Sequence, residues 1–568
     1  MKKIESNDQT LSSYLRIDST VGVLNVPFSQ RPYEWEKAQV VRLFNDLIGL
    51  IDNSDAIHML NFFTLSNEGE IKKIFDGQQR TISSLLIISA FARKLRELKE
   101  VDAAAYLVNS YIISKNPLKN SEYKKLIFEN QETNQLFYDL LEENNLSDMN
   151  SKNYSDTSQK NLITNYKFIN QLVDTYVEEN DLDGIKLKGA IDKILDRTQL
   201  ITITTATDDL AMAMFETLNN TGKKLENFYV LKNDLVLSLT EERVKDKWKI
   251  IESNLGNFDP SSFLLCVATC LTGKSSKENS LERIYRVKRL KENDKDMEEF
   301  LNLLEVASEK YLYIKNPAQF ISYRQKQDLS LFKKMIENVH LFINTQHHPL
   351  ILAMMLKNEP LNELNKVLKA LLNLGIRNFY FKENRANTIE TPIANLANKY
   401  YLNELTITEV KNNLISLAIK DDEFKEAIIA KKIKKVAEKQ FKFILRETYN
   451  TIDLDKETQI TETLSGIHLE HILPQNPDKN SEWLKIYSDD EDREFFTRKV
   501  GNMTLLLGKI NMSISNKDFV VKKKQYSLSH IPENNHNISN CEKWEKEEIN
   551  SRTESLSNKI IQYTHSLI

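Results

Sequence analysis

Residues 467–475 read IHLEHILPQ, and residues 501–511 read GNMTLLLGKIN. The first stretch carries a carboxylate beside an imidazole, Glu470 and His471, and Pro474 follows them. Neighbouring side chains of a strand point to opposite faces, so this pair can reach one cleft only where the strand end is distorted. Pro474 cannot donate a hydrogen bond to a strand ladder. The sequence therefore predicts a strand that ends close to the Glu-His pair.

The second stretch supplies two amide side chains to the same candidate site. Asn502 lies in GNMTLLL, and Asn511 lies nine residues later, a spacing at which two asparagines can flank a turn, one on a loop and one on a helix. Hydrolysis of a phosphodiester at neutral pH needs a base that activates water, a divalent cation that stabilises the charge on the phosphate, and a group that holds the base. Imidazole, carboxylate and amide side chains suit these three tasks.

A second candidate site is DGQQR at 76–80, which lies between a predicted strand and a long amphipathic helix. A polar loop at a helix N-terminus offers free N–H groups and the positive end of the helix dipole, which together form an anion site. Gly77 allows the backbone to approach a phosphate closely, and Arg80 is a bidentate phosphate donor. The other members offer a carboxylate for a metal or water, and amides for a sugar, a base or water: Asp76, Gln78 and Gln79.

Two further segments provide groups that could complete this second site. VPFSQRPYEW at 26–35 adds an amide, a second arginine and two aromatic rings able to stack: Gln30, Arg31, Tyr33 and Trp35. FETLNNTGKKL at 215–225 and the helix predicted after it add a turn and a cation: Asn219, Gly222 and Lys232. Taken alone, DGQQR is as well explained by a solvent-exposed loop with a helix cap. The presence of both partner segments, in order, favours a binding site.

The C-terminal ensemble resembles the HNH nucleases, also called ββα-metal or His-Me finger nucleases. More narrowly, EHILPQ…GNMTLLLGKINMSISNKDFVVK is similar to the nuclease half of the GmrSD-type restriction enzymes, whose pattern runs EHI.PQ, GNLTLL and N..LSN..F..K. The similarity covers roughly residues 460–530. One departure is Met503, which stands where the family usually has leucine.

This resemblance implies a role for each matching residue. His471 would be the general base, and Asn502 would orient it or hold the loop. Glu470 and Asn511 would bind the cation, Mg²⁺ or Mn²⁺, because hard cations prefer oxygen donors. Lys522 would lie near the DNA phosphate.

The three N-terminal segments resemble the GmrS half of the same enzymes over about residues 10–240, through the patterns I/VPxxQRxYxW, DGQQR and FexlNxxGxxL…K. The resemblance implies a ParB/sulfiredoxin-like fold that binds and hydrolyses a nucleoside triphosphate (GTP, ATP or CTP). Asp76, Gln78, Gln79 and Arg80 would form the hydrolysing loop. The chain continues as TISSL where the family often has LTTL, which leaves the Thr81 hydroxyl as a candidate phosphate contact. The nucleotide-binding set would comprise Gln30, Arg31, Tyr33, Gly77, Thr81, Asn219, Gly222 and Lys232.

The pattern along the chain predicts a predominantly helical α+β protein. Strands are predicted at 21–28, 59–65, 71–75 and 199–207, the second and third joined by the turn SNEGE, and a helix at 36–51. The expected organisation is a ParB-like nucleotide-binding domain at 1–240, a helical middle region at 241–445, and a ββα-metal nuclease domain at 446–568.

Composition limits the classes of protein. The chain has 568 residues, 41% of them hydrophobic and 28% charged, which is typical of a folded globular protein. The net charge is only −4, so any DNA contact must come from local patches. The three cysteines form no CxxC pair, and Cys266 and Cys270 are interpreted as core thiols. The cysteine pattern predicts a reduced, cytoplasmic setting. The absence of an apolar leader and of an 18-residue apolar run predicts no membrane partner.

Three local patterns allow two interpretations each. TGKSS at 272–276 contains the tail of a P-loop, but Ala268 stands where the first glycine is required, so Gly273 is interpreted as a helix C-cap. The basic amphipathic stretch AKKIKKVAEKQFKFIL at 430–445 is either a helix that faces DNA or a solvated face, the commoner case. His468 either lines the cleft or is a surface residue of the strand.

In combination, the resemblances imply a bacterial anti-phage restriction endonuclease that cuts foreign, modified double-stranded DNA and is gated by nucleotide binding or hydrolysis, with a homo-oligomer as an open option. Two alternatives belong to other classes. One is a nucleotide-dependent regulator whose HNH domain binds DNA without cutting it. The other is an RNA-directed nuclease or toxin, which is disfavoured because no aromatic-rich RNA platform is apparent.

Overall fold

The computed structural model describes residues 4–19, 21–52, 57–69, 71–116, 121–142, 150–154, 156–219, 227–290, 293–321, 326–455, 458–507 and 516–568. The chain divides into two units. The first comprises residues 1–264 and 288–308, and the second comprises residues 265–287 and 309–568. Within the described ranges, no helix is long and apolar enough to cross a membrane. The predominantly helical α+β class is confirmed.

The first unit contains a mixed six-stranded sheet in the order β1-β8-β3-β4-β2-β7. Strand β3 is parallel to β8 and antiparallel to β4, whereas β2 is parallel to both β4 and β7. All four predicted strands are confirmed as β2, β3, β4 and β8. The strands are β1 Ile4–Thr10, β2 Val23–Val26, β3 His58–Glu68, β4 Ile71–Asp76, β7 Leu126–Phe128 and β8 Thr198–Thr205, and a separate hairpin pairs β5 Ile113–Asn116 with β6 Ser121–Lys124.

The hairpin of β3 and β4 follows from the turn predicted at SNEGE. Gly69 in this turn has φ 74°, a left-handed conformation that glycine adopts without steric cost. Leu65 on β3 and Ile74 on β4 are neighbours across the ladder, and both are completely buried. Strand β4 of this hairpin ends at Asp76, the first residue of DGQQR.

Helix α3 (Gln78–Glu97) packs against three other helices of the first unit, α4, α6 and α7. This helix is buried along most of its length, because apolar and small residues occupy nearly all of its faces, among them Leu86 and Phe91. The helices are α1 Leu11–Leu15, α2 Lys37–Asp52, α3 Gln78–Glu97, α4 Val101–Leu107, α5 Gln131–Glu142, α6 Thr157–Glu179, α7 Gly184–Arg197, α8 Asp208–Asn219, α9 Asn227–Leu239 and α10 Glu241–Leu255. The predicted helix at 36–51 is confirmed as α2.

The chain passes between the two units within or next to α11 Pro260–Thr272, α12 Ser280–Lys288 and α13 Asp294–Lys315. Helix α11 ends where Gly273 takes φ 70°, and the Gly273 N–H donates to the carbonyl oxygen of Thr269 at 2.8 Å. The interpretation of Gly273 as a helix C-cap is therefore confirmed. Cys266 and Cys270 on α11 are both buried, as predicted.

The described ranges of the second unit contain helices and one small sheet. Strands β9 Ile467–His471 and β10 Met503–Leu507 are antiparallel, with His471 opposite Met503. The helices are α14 Lys326–His340, α15 His348–Leu356, α16 Leu361–Leu374, α17 Asn387–Tyr401, α18 Ile407–Leu417, α19 Asp421–Ala430, α20 Glu438–Ile452, α21 Trp483–Ile486, α22 Asp490–Thr497, α23 Phe519–Tyr526 and α24 Lys546–His565. The predicted domain boundaries near 240 and 445 stay predictions.

The last helix, α24, joins the hairpin region to the preceding helices of this unit. Its Thr564 hydroxyl accepts from the guanidinium of Arg377 at 2.8 Å, and His565 lies 2.8 Å from a carboxylate oxygen of Asp421. Arg377 is buried in the π-helical turn Gly375–Phe381, and it also donates to Asp421 at 2.8 Å. At the other end of α24, Gly501 lies so close that a Cβ there would overlap the carbonyl oxygen of Ile549.

The basic stretch at 430–445 is not one helix, so its interpretation as a DNA-facing helix is wrong in that form. Helix α19 ends at Ala430, and α20 begins at Glu438. Between them Lys432 forms a β-bridge with Lys499. Lys431 is buried and donates to the exposed carboxylate of Glu383 at 2.8 Å, so its ammonium group is already paired within the protein.

Candidate functional site

His471 is the last residue of β9, at the mouth of the small hairpin. Its Nε2 lies 3.0 Å from Nε2 of Gln475. An amide nitrogen can only donate, so in this arrangement His471 Nε2 accepts and Nδ1 carries the ring hydrogen. Burial lowers the pKa of His471 to about 4, and the positive charges of Lys522 and Arg498 act in the same direction. The imidazole is therefore neutral at pH 7, and its one lone pair, on Nε2, accepts the hydrogen bond from Gln475.

Glu470 points to the other face of the strand and is buried. Its Oε1 accepts from Nζ of Lys522 at 2.6 Å and from the hydroxyl of Tyr526 at 3.1 Å, both on α23. Lys522 also donates to the carbonyl oxygen of His471 at 2.8 Å. Burial raises the pKa of Glu470 and lowers that of Lys522, whereas their mutual contact acts in the opposite direction on each. These contacts fasten α23 to the hairpin.

Asn502 holds the loop that follows β9. Its Nδ2 donates to the carbonyl oxygens of Leu473 at 2.9 Å and Thr497 at 3.0 Å. Its Oδ1 accepts from the N–H of Leu473 at 2.8 Å and from Nε1 of Trp544 at 3.1 Å. The side chain is completely buried, and its two bonds to Leu473 hold the backbone close to His471.

The other C-terminal residues of the predicted site are placed differently from one another. Lys522 is completely buried, so a contact with a DNA phosphate would require its ammonium group to leave Glu470. His468 is exposed on β9. Asn511 lies outside the described residues. Among the described residues of this site, Glu470 offers a carboxylate to a divalent cation, and it would bind one only after Lys522 is displaced. His471 lies on the opposite face of the strand.

Two features of this region were missed by sequence reasoning. Gln475 is the last residue of the stretch IHLEHILPQ, and no role was predicted for it. Its position four residues after His471 is the signal that could have suggested their contact. Arg552 on α24 is buried, and it donates to the carbonyl oxygen of Met503 at 2.8 Å and to Glu533 at 2.9 Å. Nothing in the local sequence signals this, because Arg552 lies in a helix with an ordinary charged pattern.

At the N-terminal candidate site, β4 ends at Asp76 and α3 begins at Gln78. Gly77 between them has φ 95°. Asp76 Oδ1 accepts from the Gly77 N–H at 2.8 Å, and Oδ2 accepts from Arg80 at 3.3 Å. Burial raises the pKa of Asp76, while the charges of Arg80 and Arg31 lower it. Arg31 belongs to the VPFSQRPYEW segment, and its guanidinium lies 3.6 Å from a carboxylate oxygen of Glu34 in the same segment.

Gln79 connects DGQQR to that segment directly. Its Oε1 accepts from the N–H groups of Glu34 at 2.9 Å and Trp35 at 3.3 Å, and its Nε2 donates to the carbonyl oxygen of Pro32 at 2.8 Å. Tyr33 is buried, and its hydroxyl lies 2.8 Å from that of Ser83 on α3. Sequence reasoning therefore grouped segments that the fold brings together, although Gln79 and Tyr33 are occupied in holding them.

Arg80 is also occupied within the protein. Its guanidinium donates to the carbonyl oxygens of Leu60 and Phe62, the latter at 2.9 Å, and it lies 4.5 Å from the centre of the Phe63 ring. The Thr81 hydroxyl donates to the carbonyl oxygen of Gly77 at 3.0 Å. In this state both side chains stabilise the start of α3, and their roles at a nucleotide stay predictions.

Gln30 and Arg31 differ from these residues because they retain unsatisfied donors. Within the described part of the chain, Nε2 of Gln30 and Nε of Arg31 are buried without a hydrogen-bond partner. Buried polar groups are almost always bonded, so such donors indicate a missing acceptor. Both belong to the nucleotide-binding set, and a phosphate oxygen is an acceptor of the required kind.

The remaining predicted residues lie further along the chain. Gln78 is buried at the start of α3. Lys232 on α9 is buried, 3.2 Å from a carboxylate oxygen of Glu252 and 4.0 Å from the centre of the Phe28 ring. Asn219 is the last residue of α8, and Gly222 lies outside the described residues.

A Gly77→Ala substitution tests the tight turn at this site. The left-handed φ costs an alanine about 1–2 kcal/mol, and a Cβ would overlap the Phe63 ring, which adds about 1–3 kcal/mol. We expect the free energy of unfolding, measured by urea denaturation, to fall by about 3 kcal/mol. Gly69→Ala is the matched control, because its φ is similar and no atom lies within 4 Å of the added Cβ. Equal losses in the two variants would show that the Phe63 contact is unimportant.

Two family models match the chain. Residues 11–236 match the model described as the N-terminal domain of the GmrSD restriction endonuclease, and residues 418–559 match the model described as the C-terminal domain of GmrSD restriction endonucleases. A search of curated proteins found no match. The first range contains DGQQR and both of its partner segments, and the second contains the hairpin with His471.

Proposed function

Because the chain belongs to the GmrSD restriction endonuclease family and is thus a DNA endonuclease, we propose that it cuts DNA at a metal-dependent HNH site under the control of a bound nucleoside triphosphate. The cutting site is the β9–β10 hairpin with α23, a ββα arrangement. The control site is DGQQR with its partner segments, in a ParB-like fold.

One observation carries the nuclease assignment. His471 presents a neutral imidazole at the end of β9, beside the carboxylate of Glu470, in a hairpin that packs against a helix. A base that is unprotonated at neutral pH can take a proton from water as its oxygen bonds to phosphorus and the opposite phosphorus–oxygen bond breaks. A divalent cation held by Glu470 and Asn511 would stabilise the charge on the phosphate and the leaving oxygen.

The remaining groups of this site act on the position of His471. Asn502 fixes the loop after β9 through both hydrogen bonds to Leu473, which limits the movement of the strand end. The Gln475 amide donates to Nε2 of His471 and so orients the ring. Such support matters because a base contributes to catalysis only when it lies within hydrogen-bond reach of the proton that it removes.

The nucleotide assignment is supported by the unsatisfied donors of Gln30 and Arg31, which belong to the segment that Gln79 at the start of α3 holds through hydrogen bonds. Backbone N–H groups and the dipole at a helix N-terminus favour an anion, and an arginine adds a charged donor. The triphosphate of GTP, ATP or CTP has these properties. Nucleotide binding would control cutting by favouring one of two conformations of the enzyme.

A phage-defence role would follow from the family, with modified double-stranded phage DNA as the proposed substrate. One observation favours a second candidate, a nucleotide-dependent regulator that binds DNA without cutting it. Glu470 is already paired with Lys522. If that pair persists when DNA binds, the carboxylate does not reach a cation and no cutting follows.

The test of this function is cleavage of unmodified plasmid and of phage DNA with modified bases, in Mg²⁺, with and without each nucleoside triphosphate. We expect cutting of modified DNA that changes when one of the three nucleotides is added. Binding of DNA without cutting in any of these mixtures would favour the regulator. Cutting that is identical with and without every nucleotide would overturn the control site alone.

An Arg31→Gln variant tests the nucleotide site separately. Loss of a charged hydrogen bond to phosphate costs about 1.5–3 kcal/mol, which corresponds to a roughly 10- to 100-fold weaker Kd. The measurement is titration of a fluorescent analogue of each nucleotide. Arg42→Gln, on the exposed face of α2, is the control and should bind as the wild type does. An unchanged Kd in Arg31→Gln would exclude Arg31 from the site.

A further inference from the structure

Three histidines of the second unit lie together, far along the chain from the hairpin with His471. His340 is the last residue of α14, His347 immediately precedes α15, and His348 is its first residue. One ligating atom of each residue lies within 4.8 Å of the others. Nε2 of His348 is 3.4 Å from Nε2 of His340. None of the three histidines lies in the ranges that the two family models match, residues 11–236 and 418–559.

His347 has an environment that ordinary packing does not explain. The residue is completely buried, and within the described part of the chain neither of its ring nitrogens has a hydrogen-bond partner. A neutral imidazole always carries one donor and one acceptor, so both are left unsatisfied. Because such groups are rare in folded proteins, each needs a specific cause.

The protonation states of the cluster favour metal binding. Burial lowers the pKa of His340 to about 4 and that of His348 to about 3, and it also lowers the pKa of His347. The three rings are therefore neutral at pH 7, and their lone pairs are available. Metal binding at neutral pH would then displace no proton from these ligands, which removes the usual competition.

We propose that His340, His347 and His348 bind one divalent transition-metal ion of the zinc type. Zn–N bonds of about 2.0–2.1 Å in tetrahedral geometry put two ligand nitrogens about 3.4 Å apart, which is the separation between His340 and His348. His347 then has to move towards the other two rings. Three imidazoles suit zinc, nickel or copper and disfavour Mg²⁺.

Such an ion would fasten the end of α14 to the start of α15. The three residues come from a single stretch of nine, so the ion closes the loop that connects these two helices. Three protein ligands leave a fourth position for water. The site therefore differs in metal class and in chain position from the oxygen-rich site proposed at Glu470, and the two can be separated by experiment.

The test uses the full chain, stripped with EDTA and then dialysed against Zn²⁺ alone. We expect elemental mass spectrometry to give one zinc ion per chain. We also expect the Tm of the zinc-loaded protein to be higher than that of the stripped protein. Both effects should be lost in His347→Gln and kept in His471→Ala and in the exposed control His536→Gln. Full zinc content in His347→Gln, or loss of zinc in His471→Ala, would overturn the assignment.

A second measurement covers the case in which His347→Gln does not fold. Wild-type protein loaded with Co²⁺ in place of Zn²⁺ should show the intense visible bands of a tetrahedral nitrogen-ligated ion. The same bands should appear in His471→Ala, because that variant retains the three-histidine cluster. Weak bands of an octahedral ion in both proteins would exclude the proposed geometry.

Discussion

A His471→Ala variant is expected to cut DNA about a thousand-fold more slowly than the wild type, because a positioned general base contributes roughly 10²- to 10⁴-fold. The residue is half-buried at the end of β9, and its ring nitrogen contacts Gln475, which is exposed. Removal of the ring should therefore leave the hairpin folded. The measurement is the initial rate of plasmid cutting in Mg²⁺, alongside the Tm and the Kd for DNA.

His468→Ala is the control for this variant, since His468 lies on the same strand and is exposed. Its cutting rate should stay within a few-fold of the wild-type rate. If His471→Ala cuts at the wild-type rate, the base lies elsewhere and the hairpin is not the active site. If both variants lose activity together with their Tm, the effect is on folding, and the Tm values distinguish that case.

A Lys522→Met variant is expected to lower the free energy of unfolding by about 3–5 kcal/mol, the usual cost of leaving one member of a buried ion pair unpaired. Lys522 is completely buried, and Glu470 is nearly so. Methionine fills a similar volume but cannot neutralise the carboxylate. The measurement is urea denaturation at pH 7, with Lys524→Met on the exposed side of the same helix as the control.

The loss should depend on pH with a definite sign. Without Lys522, burial raises the pKa of Glu470 above its unfolded value, so protonation favours the folded variant. The variant is then least unstable below the ordinary carboxyl range, and the difference from wild type grows as pH rises through the raised pKa. A double variant, Glu470→Gln with Lys522→Met, should recover part of the loss at pH 7. A loss in Lys522→Met that is independent of pH would mean that the carboxylate is not buried there.

This variant also bears on the choice between the two proposed functions. If Mg²⁺ displaces Lys522 from Glu470, Lys522→Met should bind Mg²⁺ more tightly than the wild type while being less stable. An unchanged Mg²⁺ affinity would indicate that Glu470 does not hold the ion. The stability measurement and the metal titration therefore answer separate questions.

Much of the fold was predictable from local patterns in the sequence. The alternation of β-branched residues at 199–207 predicts β8, and the turn residues at SNEGE predict the β3–β4 hairpin. Gly77 was singled out for a close backbone approach, and the structure shows a left-handed φ and the Phe63 ring in contact range. These features depend on neighbouring residues, which a single sequence reveals.

Contacts between distant residues were not predictable in the same way. Arg80 was expected to contact a phosphate because it is a bidentate donor within DGQQR, and Lys522 because of the family resemblance, and both contacts stay predictions. In the fold Arg80 is bonded to β3 and Lys522 to Glu470, partners that come close only through tertiary structure. The prediction of a DNA-facing helix at 430–445 was wrong for a related reason. The pattern of lysines does not show that Lys431 is buried and paired with Glu383.

The packing of α24 also limits how this enzyme can be divided. A nuclease fragment that began at residue 446 would keep Thr564 and His565 but lose Arg377 and Asp421, their hydrogen-bond partners. Exchange of nuclease halves between relatives should therefore succeed more often when the junction lies upstream of the Gly375–Phe381 turn. The helices before residue 446 and the hairpin would then be exchanged together. Recombination within the family would therefore favour the transfer of one long segment that contains both over the transfer of either part alone.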